Sequence, residues 1–553
     1  MAGFKDKVVY QIYPKSFQDS NGDGFGDLRG VIQRLDYLQS LGVDYLWLTP
    51  FFPSPQRDNG YDVSDYCAVD PRFGTMADFD ELVKSAGEKG MSIMLDMVLC
   101  HTSFEHEWFQ KAINGDERYQ RYYILRDGRK GPGDSSEPPT NWQCAFGGSA
   151  WEWQPQIGKW YLHLHDVSQP DLDWTNPEVR KELANVVKFW RDKGVMGFRF
   201  DVINLISKPE VFEDDTTGLG RRLFADGPHV HEYLRELVQN AGIDGMITVG
   251  EMASTDLQNC INYSNPNNHE LGMSFSFHHL KVDYKNGNKW ELMPPDIKAL
   301  KKIFEDWQVG MQEGNGWNAV FYNNHDQPRI VSRFGDDQKY LKESAKMLAA
   351  SIHFMRGTPY IYEGEEIGMT NAHYTSIKPY RDVESLNYYK ILLEEGKSEE
   401  EAIKIIGERS RDNSRTPMQW SADKFAGFST AEPWLAIPDN YKSINVEAEK
   451  DDPDSILNFY KQLVKLRKQY KVIQDGKIEF IEKDNNDVLA YKRTFGNDSL
   501  IVLCNFRGYD TNVIDNSINE YEQQGYKKLL GNYEGNSDKL RPFEVVVLAK
   551  LNQ

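Results

Sequence analysis

Cysteine is scarce: five residues in 553 (Cys67, Cys100, Cys144, Cys260 and Cys504), an odd number, scattered and without a CxxC pair. That excludes a disulfide framework and a cysteine-based zinc site, and it fits a reducing compartment. Positive charge is also short. The 64 Lys and Arg face 84 Asp and Glu, a formal net charge of −20, so nucleic acid and anionic membrane would be repelled at long range and are not expected as partners. No apolar run reaches spanning length, and the opening MAGFKDKVVYQIYP has no charged segment followed by an apolar one. A soluble protein retained in the cytoplasm is expected. With 40% hydrophobic and 13% aromatic residues, the chain is too apolar for disorder and long enough for a large domain with insertions plus a smaller one.

What is present is alternation. Eight short β-prone runs recur: VVYQIYP (8–14), YLWLTP (45–50), MSIMLDMVL (91–99), GFRFDV (197–202), ITVGEM (247–252), MSFSFHH (273–279), NAVFYNNHD (318–326) and TPYIYEGEEIG (358–368). Between most of them lie amphipathic stretches such as LRGVIQRLDYLQSLG (28–42) and EVRKELANVVKFWRDKG (178–194), closing on Gly as helices often do. Eight strand and helix repeats predict an α/β fold, a parallel sheet closed into a (β/α)8 TIM barrel. The third connection is far longer than the usual few residues, so 102–171 is expected as a small inserted domain. A late insertion, about 370–425, follows the eighth run and contains RSRDNSRTPMQW. The barrel therefore takes 1–101 and 172–469. From 470 to 553 short strands (KIEFIEK, DVLAYKRTF, SLIVLCNF, FEVVVLAK) predict a C-terminal antiparallel β-sandwich domain.

One strand is odd. GVMGFRFDVI (194–203) is apolar, yet it carries Arg199 and Asp201, which share a face because side chains alternate along a strand. A buried ion pair is a weak explanation, since desolvation can cost more than attraction returns; a structural pair and a functional site both remain open on this stretch alone. Asp96, Asp201, Glu251 and Asp326 all fall at or near predicted strand ends. C-terminal strand ends form the active face of such barrels. A single acidic strand end reads as a helix cap; four of them, three with His or Arg close by, read as a site.

DMVLCH (96–101), QPDLDW (169–174), GFRFDVI (197–203), GEM (250–252) and NHDQPR (324–329) resemble, in order, the signature regions of the α-amylase-type glycoside hydrolases, a likeness covering essentially the whole chain. The resemblance implies Asp201 as nucleophile, Glu251 as general acid/base and Asp326 as the carboxylate that binds and helps distort the sugar. Arg199 would keep Asp201 ionised. It also implies sugar contacts from Asp62, Tyr61, His101, His325 and Arg415. Val202 and GTPYIYEGEEIGMTN resemble the exo-acting oligo-1,6-glucosidase group, which takes short α-glucosides.

FADGPHVHEYL (224–234), TVGEMASTD (248–256) and FSFHHLKVDYKNGNKW (275–290) resemble the phospho-α-glucosidase branch, whose substrate is trehalose phosphorylated at a 6-hydroxyl. Lys281 stands where oligo-1,6-glucosidases tend to have an acidic residue. A phosphate dianion approaching an acidic protein needs local cations, and Lys281, supported by Lys285 or Lys289, is the candidate. An oligo-1,6-glucosidase is the alternative reading. A noncatalytic carbohydrate-binding relative is one of another class, disfavoured by the three carboxylates, and transglycosylation competes with hydrolysis. The expected partner is a phosphorylated disaccharide bound by a monomer, with no organic cofactor.

DSNGDGFGDL (19–28) presents oxygens at alternate positions around Gly24, as calcium loops do, without the closing Glu of an EF-hand. The resemblance implies a structural Ca2+ on Asp19, Asn21, Asp23, Asp27 and the Phe25 carbonyl. Cys100 replaces the Asn with which α-amylases bind a second calcium, so that metal is not expected.

Overall fold

The computed structural model describes residues 3–131, 136–535, 537 and 539–552. The eight runs become eight parallel strands: β1 Val9–Ile12, β2 Tyr45–Leu48, β3 Ser92–Met97, β4 Gly197–Phe200, β5 Ile247–Met252, β6 Met273–Ser276, β7 Ala319–Val320 and β8 Thr358–Tyr362. Their order is β6-β5-β4-β3-β2-β1-β8-β7, and a parallel bridge from Ser274 to Asn318 joins the two ends into a barrel. Strands buried on both faces read as nearly continuous apolar runs, and every residue of β1, β4 and β5 is buried. β7 is short because its continuation turns to local bonds: the Asn324 carbonyl oxygen of the side chain accepts from the Asp326 amide at 2.9 Å, and that of Asn323 from the Ile330 amide at 2.8 Å.

Helix Pro177–Asp192 shows how the outer layer is specified. Asn176 caps the Glu178 amide, Pro177 sits at the first position, and Val179, Leu183, Val187 and Trp190 form the buried stripe. Trp190 packs against Phe51, Phe52 and Phe79 with ring centroids 4.9–5.7 Å apart; truncating it to Ala would cost about 3–5 kcal/mol.

The inserted domain carries a three-stranded antiparallel sheet built from Leu125–Arg126, Lys159–Leu162 and Trp151–Gln154. A bridge between His101 and Asp171 ties its two ends together at the barrel. The late insertion folds into helices Val383–Glu394 and Glu399–Arg409, whose small core of Tyr380, Leu392, Ala402 and Ile406 closes over Trp290. Trp290 also stacks on Tyr388 at 4.4 Å. The loop after β6 is thereby fastened to the late insertion.

The C-terminal region is one five-stranded antiparallel sheet, β9 Lys477–Ile481, β10 Val488–Phe495, β11 Asp498–Asn505, β12 Lys527–Gly531 and β13 Val545–Lys550, ordered β9-β10-β11-β13-β12. Among the described residues no second sheet completes the expected sandwich. Alternation explains why none is needed: Leu489, Tyr491, Leu500 and Val502 join the barrel core, while Val488, Ala490, Ile501 and Leu503 are covered by Ile518, Tyr521 and Tyr526. The second layer is the short helix Ile518–Gln523, opened by a capping box of Ser517 and Glu520. No helix among the described residues is long and apolar enough to cross a membrane.

Candidate active site

The register of β3, β4 and β5 sets Asp96 and Val249 beside Arg199. Arg199 Nη1 donates to Asp96 Oδ1 at 2.5 Å and to Asp201 Oδ1 at 2.7 Å, while Nη2 bonds Glu251 Oε2. One buried guanidinium thus gathers carboxylates from three adjacent strand ends. Asp96 Oδ2 also accepts from Trp47 Nε1 at 3.2 Å and the Tyr61 hydroxyl at 2.9 Å. Burial works against the Arg199 charge, but Asp96 and Asp201 outweigh it and raise its pKa. Asp96 is pushed up to about 7, by burial first, with Arg199 opposing and Asp201 adding. Immediately after Asp201, Val202 takes φ 35 and ψ 41, a left-handed conformation that costs a β-branched residue on the order of 1–3 kcal/mol. The turn ends β4 at the carboxylate.

Asp326 forms a second cluster. Arg415 Nη2 lies 2.8 Å and Arg411 Nη1 3.2 Å from its Oδ1, and His325 Nε2 lies 3.2 Å from Oδ2. Burial would raise the Asp326 pKa, but His325, Arg411 and Arg415 hold it well below the ordinary value. Burial lowers the His325 pKa, with Asp326 opposing, and the two guanidiniums supply positive charge at any ordinary pH. His325 Nδ1 pairs with Gln11 Nε2 at 2.8 Å, and its ring stacks on Tyr61 at 5.0 Å and 2°. Tyr61 therefore ties Asp96 to His325, and one of its ring faces is already occupied.

His101 Nε2 lies 3.0 Å from the Tyr61 carbonyl and 3.2 Å from Gln169 Nε2, and its ring packs on His165 at 5.1 Å. The Nδ1 atoms of His101 and His165 and Nη1 of Arg415 are buried without a hydrogen-bond partner among the described residues. Buried polar atoms are normally paired, and a hydroxyl-rich ligand would pair these. Arg415 is fully buried, with Nε on the His325 carbonyl at 2.9 Å, and is no solvated surface residue. Asp62 accepts from the Ser54 hydroxyl at 2.8 Å and the Arg57 and Asp58 amides at 2.9 and 3.2 Å. Those bonds shape its loop; Asp58, not Asp62, meets the Asp326 cluster, through Arg411 at 3.0 Å.

Sequence reasoning missed Asp58, His165, Asp382, Glu384 and Arg411. Arg411 had a signal: it precedes Arg415 by four residues, one helical turn, beside the short helix Asp412–Arg415.

Lys281 ends the turn His278–Lys281 directly after β6, exposed and in no ion pair among the described residues. Partial desolvation and then Arg221 hold its pKa below the usual lysine value. Lys289 is paired with Glu384 Oε2 at 2.6 Å, and Lys285 is exposed.

In the 19–28 loop, successive turns bind the Asn21 amide to Asp19 Oδ1 at 3.0 Å, the Asp23 amide to Asn21 Oδ1 at 2.9 Å and the Phe25 amide to Asp23 Oδ1 at 2.9 Å. Asp27 caps the Gly30 amide at 2.7 Å. These oxygens keep lone pairs, and the all-oxygen set suits Ca2+. The Asp19, Asp23 and Asp27 carboxylates do not all lie within 4.8 Å of one another, the span of opposite ligands on one ion. Among the described residues only Cys100, His101 and Asp171 meet that test. There Lys208 Nζ sits 2.8 Å from Asp171 Oδ2 and 3.8 Å from Cys100 Sγ, an ammonium in place of a metal.

Carboxylates converging from adjacent strand ends of a (β/α)8 barrel, on one guanidinium, define a barrel glycoside hydrolase. Residues 11–476 match the family Alpha amylase, catalytic domain, and the chain belongs to it. It is 52% identical over 508 residues to the trehalose-6-phosphate hydrolase of Bacillus subtilis (strain 168), covering 91% of this chain and 90% of that one. It is 48% identical over 512 residues to the oligo-1,6-glucosidase of Parageobacillus thermoglucosidasius, again covering 91% and 90%. The crystal structure of the trehalose-6-phosphate hydrolase of Bacillus licheniformis superposes with a TM-score of 0.93 at 49% identity, over 99% of this chain and 100% of that one.

Proposed function

We propose that this glycoside hydrolase is a retaining, exo-acting α-glucosidase that cleaves trehalose 6-phosphate to glucose and glucose 6-phosphate. The sharing of Arg199 by Asp201 and Glu251 carries the mechanism. Retaining enzymes hold their two carboxyls about 5–5.5 Å apart, and two carboxyls drawn onto the terminal nitrogens of one guanidinium support that class over one with the acids spread farther apart. Glu251, turned from Arg199 and protonated, gives its proton to the glycosidic oxygen while Asp201 bonds the anomeric carbon and the second sugar departs. Glu251, now a carboxylate, then takes a proton from water, whose oxygen replaces Asp201 on the sugar. Asp326 binds the ring hydroxyls, assisted by His101, His325 and Arg415.

The phosphate assignment rests on the relatives and on Lys281, an ammonium without a carboxylate partner among the described residues, supported by Lys289 from the loop after β6, in a chain of net charge −20. An oligo-1,6-glucosidase is the second reading, favoured by the 48% identity to one. Lys281→Ala separates them: KM for trehalose 6-phosphate should rise about tenfold, about 1.4 kcal/mol, with isomaltose unaffected. Equal changes on both substrates would refute the phosphate role. The same reading has the enzyme act as a cytoplasmic monomer with a structural Ca2+ on the 19–28 loop and no organic cofactor.

A further inference from the structure

A continuous line of ion pairs runs from the loop after β6 to the catalytic centre. Lys289 Nζ is 2.6 Å from Glu384 Oε2, the same oxygen lies 3.6 Å from Arg411 Nε, and Arg411 Nη1 lies 3.2 Å from Asp326 Oδ1. The line is shared at both ends: Glu384 Oε2 serves two cations, and Asp326 Oδ1 is divided between Arg411 and Arg415. Arg411 is buried and anchored by Asp382 at 2.6 Å and Asp58 at 3.0 Å, so it can tilt without leaving. The link from Glu384 to Arg411 is the loose one.

We propose that Glu384 and Arg411 are positioning residues that report a phosphate on Lys289 to Asp326, so that the substrate's phosphate accelerates turnover as well as improving binding. The proposal rests on the phosphate reading above. A phosphate dianion is a stronger partner for an ammonium than one carboxylate is. Once Lys289 turns to it, Glu384, whose side chain is only 12% exposed, is left nearly buried and short of a cation, a costly state. Closing on Arg411 Nε relieves it and tilts the guanidinium away from Asp326, which keeps Arg415 and gains a free lone pair on Oδ1 for the sugar. A substrate without phosphate meets Asp326 still held by both arginines.

Steady-state kinetics of the full chain on trehalose 6-phosphate and on trehalose, which has the same glycosidic bond, test this. Wild type should show kcat at least about tenfold higher on the phosphorylated sugar, within the usual range of coupling between two sites. Glu384→Gln should bring that kcat ratio to near one while KM for trehalose 6-phosphate moves less than about threefold. Lys289→Gln, at the more accessible end, leaves Glu384 free for Arg411 and should raise kcat on trehalose about threefold while raising KM for the phosphorylated sugar; a merely structural pair would not raise kcat. An unchanged kcat ratio in Glu384→Gln, or a lower kcat on trehalose in Lys289→Gln, overturns the relay. A wild-type preference carried by KM alone also overturns it and leaves the substrate assignment standing. No preference of either kind removes both.

Discussion

Arg199 and Asp201 stand two residues apart on one face of β4, with Nη1 2.7 Å from Oδ1, and the same guanidinium holds Asp96 and Glu251 from the strands on either side. Removing one member of such a buried charge group leaves the others uncompensated, at about 3–5 kcal/mol. Arg199→Gln should therefore lower thermal stability and abolish hydrolysis of p-nitrophenyl α-glucoside together. Asp201→Asn should behave differently: its volume is kept and Arg199 retains two carboxylates, so the unfolding midpoint should stay close to wild type while kcat falls about a thousandfold or more. Substantial turnover in a well-folded Asp201→Asn would remove it as the nucleophile.

Lys208 and Asp171 join the inserted domain to the barrel, and both are buried. Lys208→Met should cost about 3–5 kcal/mol by stranding the Asp171 charge. Adding Asp171→Asn should recover part of it. Urea unfolding of the single and double variants measures this, and strict additivity would mean that the two do not interact.

Several buried carboxyls are raised chiefly by desolvation: Asp58 and Asp96 to about 7 and Glu365 to about 8. Their folded pKa values exceed the unfolded ones, so between about pH 4 and pH 8 the folded state holds protons that the unfolded chain releases. Their contribution to stability declines as pH rises through that window. The unfolding midpoint should fall from pH 5 to pH 8.5. Glu365→Gln, which can still accept from Asn323 Nδ2 as Glu365 does at 2.7 Å, should make that decline shallower. A slope identical to wild type would show that Glu365 does not titrate there.

If the 19–28 loop holds Ca2+, chelation removes a ligand that binds only the folded state. With calcium at about 100 times its Kd the loss is about 2.7 kcal/mol, a fall of several degrees at most for a protein of this size. Added Ca2+ should restore it. Asp23→Ala, a change at an exposed side chain, should abolish the response, and a wild-type midpoint indifferent to EDTA would remove calcium from the proposal.

Much of this was legible in the sequence. The eight strands could be read because both faces of a parallel barrel strand are apolar, and the period of two put Arg199 and Asp201 on one face. The resemblance supplied the roles expected of the three carboxylates. Asp58, Asp382 and Glu384 were not legible: they come from loops and an insertion without periodicity, and only tertiary packing brings them to Arg411. The sandwich expected at the C-terminus failed for a related reason. Alternation says that a strand has two apolar faces, not whether a second sheet or the barrel covers each one.

The most direct test is the ratio of kcat/KM for trehalose 6-phosphate to that for isomaltose, measured with the purified wild-type chain. A ratio of about a hundred or more, with glucose and glucose 6-phosphate as the products, is expected from a site selective for the phosphorylated sugar. A ratio at or below one would contradict it and make the protein an oligo-1,6-glucosidase.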